Sequence, residues 1–183
     1  MSDLGRLEEE LRNTPEGSIV FLETTSDKAL DVGLKLVKLY SDKNDKGIIV
    51  SANRPYRNLV NLLKSKDVDV SRMHILDCIS KGQDADVEAE NVEFVDNVSA
   101  LTDISLSISE NIKNSNGKKF VFFDSIPTML IHNKPYVFAR FVHSVLTKMR
   151  LNNVGGVLVS LQDDNNKEVR AEIAQLCDKV IHI

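Results

Sequence analysis

The sequence predicts one α/β domain, a mostly parallel sheet with helices on both faces, and three observations predict it. Short β-rich apolar runs alternate with longer segments of helical period, the pattern of crossover units. The runs are continuously apolar instead of alternating, as strands buried on both faces are. The 183 residues, 42% apolar and 27% charged, are enough for one well-buried core and lie far from the composition of disordered chains. The whole chain, 1–183, is therefore read as one domain.

Taken in order, Leu4, Leu7 and Leu11 mark an N-terminal helix or extension over 1–16. It either covers the domain edge or mediates self-association. Six strands follow at Ser18–Leu22, Gly47–Ser51, Met73–Cys78, Lys119–Phe123, Gly156–Leu161 and Lys179–Ile183. Between them, Leu30, Leu34 and Val37 make one helical stripe, and Leu101, Ile104, Ile108 and Ile112 make another. Phe138, Val142, Val145 and Met149 make a third, entered through Pro135, which suits a first helical turn. Pro55 opens a shorter helix carrying Leu59, Leu62 and Leu63, and Val169, Ile173 and Leu176 mark the last one. Gly155-Gly156 reads as a tight helix-to-strand turn. The stretch 80–97, with Asp84, Asp86, Glu88, Glu90, Glu93 and Asp96, has no clear period and reads as an acidic, solvated, irregular loop. It lacks the Asp-x-Asp-x-Asp-Gly spacing that folds a chain around calcium.

Composition narrows the function. The net charge is -4 and the cations are scattered, so a nucleic-acid partner has no electrostatic footprint. No apolar stretch approaches the ~20 residues that span a bilayer, and the N-terminus does not read as a signal peptide, so a cytoplasmic protein without a membrane role is expected. Cys78 and Cys177 stand apart in apolar surroundings and read as reduced, buried thiols. The four histidines (His74, His132, His143, His182) have no metal-ligand spacing. No Gly-x-Ser-x-Gly elbow or Gly-x-Gly-x-x-Gly fingerprint is present.

In an open parallel sheet, ligands bind beyond the carboxyl ends of the strands, which here carry Glu23, Asn53, Asp77, Asp124 and Gln162. The run Phe120-Val121-Phe122-Phe123-Asp124-Ser125 ends four apolar residues in an acid, as does a Walker B strand, whose Asp holds the water shell of magnesium. An Asp in that place equally well accepts N–H bonds from a loop or a helix start.

The order of elements from Ile19 to Ile183 resembles the RecA superfamily, and in detail the KaiC-like ATPase domains. The stretches that carry the likeness are Gly47-Ile-Ile-Val-Ser-Ala-Asn-Arg-Pro-Tyr-Arg-Asn-Leu, Phe120 to Thr128, and Val154-Gly-Gly-Val-Leu-Val-Ser-Leu with the closing Cys177-Asp-Lys-Val-Ile-His-Ile. The resemblance implies a RecA/KaiC-like, P-loop NTPase-like fold and a phosphate loop after the first strand. There the chain reads Leu22-Glu-Thr-Thr-Ser-Asp27-Lys28-Ala29, with the loop length kept and Lys28 in the lysine's place. Leu22 and Asp27 replace the two glycines that let main-chain N–H groups approach phosphate, and Ala29 replaces the magnesium-binding hydroxyl. Asp27 and Glu23 add negative charge. The resemblance places Asn53, an amide that cannot take a proton from water, where the family has its catalytic glutamate. Gln162 falls where the family senses the γ-phosphate, and Asp163-Asp164 reads as a solvated turn.

The leading expectation is a pseudo-ATPase with no catalytic residues and no cofactor, acting as a regulatory or scaffold protein on a protein partner or as a homo-oligomer. Its rival is an unorthodox ATP-binding protein in which Thr24, Thr25, Ser26 and Lys28 hold phosphate and Asp124 holds magnesium. A third reading pairs Asp77 and Asp124, with Cys78 nearby, as an acid and base. A doubly wound domain of unrelated ancestry, with Lys28 an ordinary exposed side chain, is the plainest alternative.

Overall fold

A computed structural model describes residues 2–43, 45–81, 83, 89–162 and 165–183. The strands are β1 (Ile19–Thr24), β2 (Lys46–Ser51), β3 (Met73–Asp77), β4 (Val92–Phe94), β5 (Lys119–Asp124), β6 (Gly155–Leu161) and β7 (Lys179–His182). The helices are α1 (Asp3–Arg12), α2 (Ala29–Asp42), α3 (Tyr56–Ser65), α4 (Leu101–Asn114), α5 (Ile126–His132), α6 (Pro135–Leu151) and α7 (Lys167–Gln175), with a short 3-10 turn at Val70–Arg72.

The strands make one sheet in the order β4-β3-β2-β5-β6-β1-β7, and every pairing is parallel. Its two faces carry two cores. Val20, Leu22, Ile49, Phe120, Phe122 and Val157 pack under α1, α2 and α3. Ile19, Phe21, Val50, Val121, Phe123 and Leu158 pack under α4, α5, α6 and α7. This division follows from the handedness of crossovers: connections running toward β4 must lie on one face and those running toward β7 on the other. Neighbouring residues in a strand alternate between the cores, so both faces are apolar and the runs are unbroken.

The expected elements are present, and two more appear. The stretch 80–97 contains the three-residue edge strand β4, where Val92-Glu93-Phe94 pairs with Ile75-Leu76-Asp77. A strand that short carries no readable period, and short edges are how sheets resist edge-to-edge pairing. Asp84, Asp86, Glu88 and the Asp163-Asp164 turn lie outside the described residues. The short helix α5, opened by Ser125 and Pro127, also lacks enough turns to show a stripe.

The N-terminal helix packs on the domain. Ser2 caps it by accepting from the Gly5 N–H, and Leu7 and Leu11 are buried in the α2–α3 core. Burying two leucines contributes roughly 3–6 kcal/mol before the cost of ordering the helix. Its acids pair with the domain's lysines: Asp3 with Lys28, Glu8 with Lys35 and Glu10 with Lys179. The closing turn is anchored by Asp178, whose carboxylate accepts from the Ile19 N–H and from Arg150. Burial alone would raise this carboxyl, but those two donors hold it below the usual range.

Gly155 and Gly156 do more than ease a turn, because they begin β6 between β5 and β1. A Cβ on Gly156 would stand 2.2 Å from the Val121 carbonyl oxygen, and one on Gly155 would stand 2.8 Å from that of Ser18. These neighbours are backbone and cannot swing away. Gly156→Ala is expected to cost about 1–3 kcal/mol, lowering the melting temperature by roughly 3–10 °C. Thermal unfolding of the variant checks it, and an unchanged midpoint would contradict this packing.

Candidate functional site

The crossovers from β2 and β5 leave in opposite directions, β2 toward β3 through α3 and β5 toward β6 through α5 and α6. The carboxyl ends of these adjacent strands are therefore a topological switch point, where a crevice opens in folds of this type. Asn53 and Asp124 meet there. The Asn53 amide nitrogen donates to the Asp124 carboxylate at 3.1 Å and lies 3.1 Å from the Ser125 hydroxyl. The Thr128 hydroxyl donates to the Asn53 carbonyl oxygen. Asn53 thus ties the loop after β2 to the start of α5. Sequence reading named Asn53 and Asp124 but missed Ser125 and Thr128. Their spacing, a hydroxyl at the helix entry and another three residues on, was the available signal.

Asp124 follows Phe123 of one core and so faces the other, under α2 and α3. Burial raises its carboxyl above the ordinary range, and the Asn53 N–H and the Arg54 guanidinium only partly offset this. Arg54 and Asp124 line a cavity with Ala29, Leu30, Gly33 and Phe122. Its volume is about 20 Å³, room for about one water and not for a phosphate. Leu34, Leu59 and Leu63 close the remainder.

The residues after β1 do not form the eight-residue loop that the sequence suggests. β1 runs on through Glu23 and Thr24, so Leu22 is a core residue paired with Val159 and Ile181. Only Thr25 to Lys28 connect β1 to α2, closed by a bond from the Lys28 N–H to the Thr25 carbonyl. The expectation that the loop keeps its length is therefore corrected. The physical reason is the apolar Leu22 at the position where a glycine would let the chain turn: it belongs in the core and draws the strand onward.

Of the proposed phosphate ligands, Thr24 is wholly buried with its hydroxyl unpartnered among the described residues. Ser26 is exposed. Thr25 lies beside Asp27, and the neighbouring Thr25 side chain and main-chain N–H groups of Asp27 and Lys28 hold that carboxyl below the usual range. Lys28 turns to α1, its ammonium 2.6 Å from the Asp3 carboxylate, which raises its pKa. None of the four lines the small cavity beside Asp124. Glu23 faces the other side of the sheet, 3.2 Å from Arg170 and 3.0 Å from His182.

The Asp77–Asp124 acid–base pair is not assembled. Both stand in register with Ser51, one on each side, roughly 9–10 Å apart across two strand spacings. Asp77 accepts from the N–H groups of Tyr56, Ile79 and Ser80 and from the Ser80 hydroxyl. It is a brace for the start of α3 and the turn after β3. Burial pushes both thiols up to about 12, and both cysteines are free. No group of three or more potential metal ligands occurs among the described residues, and no helix among them is long and apolar enough to cross a membrane.

This architecture, a seven-stranded parallel sheet between two helical layers, is a KaiC-like RecA fold. It is similar to the crystal structure of a KaiC-like protein from the hyperthermophilic archaeon Pyrococcus horikoshii OT3, with a TM-score of 0.64 and 16% identity over 92% of this chain and 71% of that one. At that identity the likeness is one of fold. Residues 23–183 match a family of unknown function, DUF7504, and the chain belongs to it. No curated protein matches.

The raised Asp124 carboxyl has a consequence for stability. The native state keeps a proton that the unfolded chain releases near pH 4, so stability falls as pH rises from there through the raised native value and is constant above it. Asp124→Asn keeps an acceptor for Asn53 and removes the buried charge. The variant is expected to melt higher than the wild type at pH 7, with the gap closing below about pH 4. A lower melting point at pH 7 would contradict this reading.

Proposed function

We propose that this protein is a non-catalytic KaiC-like domain, a pseudo-ATPase that acts as a regulatory or scaffold protein through contacts with other proteins. The observation that carries the reading is the course of β1. Its continuation through Thr24 leaves four residues before α2, too few to wrap main-chain N–H groups around a phosphate. Lys28, the one cation of that turn, is committed to Asp3. Asn53 holds the place of a general base and is an amide spent on Asp124, Ser125 and Thr128. The room beside Asp124 admits about one water.

Each of these features bears on a different requirement of ATP hydrolysis: the phosphate cradle, the lysine, the base and the magnesium ligand. A chain that leaves these requirements unmet, two by replacement and two by engaging Lys28 and closing in Asp124, while keeping two intact cores, has the features of a fold maintained for its surface. A regulatory protein of this kind presents helices and loops to its partner and has no need of the crevice. The compartment in which it acts is proposed to be the cytoplasm.

The test is thermal unfolding with and without millimolar Mg-ATP. A ligand at 100 times its dissociation constant stabilises the native state by about 2.7 kcal/mol, which for a domain of this size is a shift of roughly 5–10 °C. No shift is expected, in the wild type or in Lys28→Ala. A shift in the wild type that Lys28→Ala abolishes would overturn the proposal in favour of nucleotide binding by Thr24, Thr25, Ser26 and Lys28 with magnesium on Asp124.

A further inference from the structure

Among the described residues seven large apolar side chains are well exposed; two of them, Leu106 on α4 and Val137 on α6, line one groove, and Ile131 and Tyr136 flank the turn from α5 into α6. Leu106 is 53% exposed and Tyr136 71%. Surface leucines scattered singly need no explanation, but a contiguous group marks a contact surface.

Leu106 is the crest between two grooves of opposite charge. On its α6 side the groove is lined by Val137, Phe141, Arg140 and Lys148, with no acid. On the other side the groove is lined by Glu93, Asp96, Asp103 and Glu110, and the one cation lining it among the described residues, Lys81, is paired with Asp96. Arg140 lies over the Tyr136 ring, its guanidinium carbon 5.7 Å from the centroid, which holds the ring and the charge together at the rim. Lys148 donates to Ser105 of α4, so the basic groove is braced across both helices.

An apolar crest with a basic flank and an acidic flank complements its own image. Rotated by a two-fold axis through Leu106, the basic flank of one copy faces the acidic flank of the other, and the two crests meet in the centre. An isologous contact needs this self-complementarity, in which residue i touches j and j touches i. Any other partner would have to supply both signs at the same spacing on either side of an apolar centre.

We propose that the α4–α6 crest, centred on Leu106 and Val137, is the surface on which a second copy of this chain docks in a symmetric pair. It rests on the reading of the protein as one that works by protein contact, and it names the partner. The edge strand β4 borders the contact, since its Glu93 lines the acidic flank beside Leu106. The apolar centre supplies affinity, and the charged flanks fix the register.

Sedimentation velocity of the wild-type chain over about 1–100 μM tests it. A reversible dimer is expected, with Leu106→Asp weakening association by at least about 30-fold. Two further variants test the charge pattern. Arg140→Glu with Lys148→Glu makes both flanks acidic, and Asp103→Lys with Glu110→Lys makes both basic. Each is expected to be monomeric alone, and their equimolar mixture is expected to form a heterodimer. A wild type that remains a monomer at 100 μM overturns the proposal, as does a dimer that Leu106→Asp leaves intact, or a mixture no more associated than its components. Circular dichroism confirms that each variant is folded, as the substituted positions are exposed or half-buried. Failure here leaves the response to Mg-ATP untouched, so the two proposals fall separately.

Discussion

The structure depends on how β1 ends. The strand is paired with β6 on one side and β7 on the other. Both pairings continue to the end of the strand: the Gln162 N–H donates to the Thr24 carbonyl, and the Ile183 N–H to the Glu23 carbonyl. Leu22 is driven into the core between Val159 and Ile181 by the same hydrophobic term that forms the rest of the sheet. Glu23 on the opposite face is held by Arg170 and His182, and Arg170 reaches the Leu161 carbonyl. Backbone pairing, apolar burial and charge pairing therefore all keep the chain extended through Thr24.

The polar ends of the strands are occupied with structural tasks as a consequence. Asp77 braces α3, and Asp178 fastens the start of β1 to α6. Asn53 bridges β2 to α5 through Asp124, Ser125 and Thr128. A carboxylate or amide saturated with protein donors and acceptors is poorly disposed to bind anything else. Exposed apolar area lies instead on the helical surface, at Leu106 and Val137 between α4 and α6 among other positions.

Much of the fold was legible because it rests on period and burial. The unbroken apolar runs located six strands to within a residue or two, and the stripes of α2, α4 and α6 are long enough to declare themselves. β4 and α5 escaped because three and seven residues are too few for a period. The site was legible at Asn53 and Asp124, since a polar residue closing an apolar strand is visible in sequence. The course of the Leu22–Ala29 segment was not. Matching it to a motif assumed that replaced glycines leave the loop's path unchanged, whereas Leu22 joins the core and shortens the loop to a turn. The pairing of Lys28 with Asp3 was also out of reach, because it depends on where α1 docks and not on any local pattern.

The central claim is that β1 runs as a fully paired strand through Thr24, and amide hydrogen exchange measures this directly. The N–H groups of Gln162 and Ile183 donate to the last two residues of β1. In a strand of full standing they open only with the sheet, so their exchange should be about as slow as that of the β5 and β6 core amides. Protection of this order, unchanged by Mg-ATP, is the predicted result. Rapid exchange at both positions, comparable to that of the Ser26 and Asp27 turn, would show that the end of β1 is a loose loop and would contradict the account.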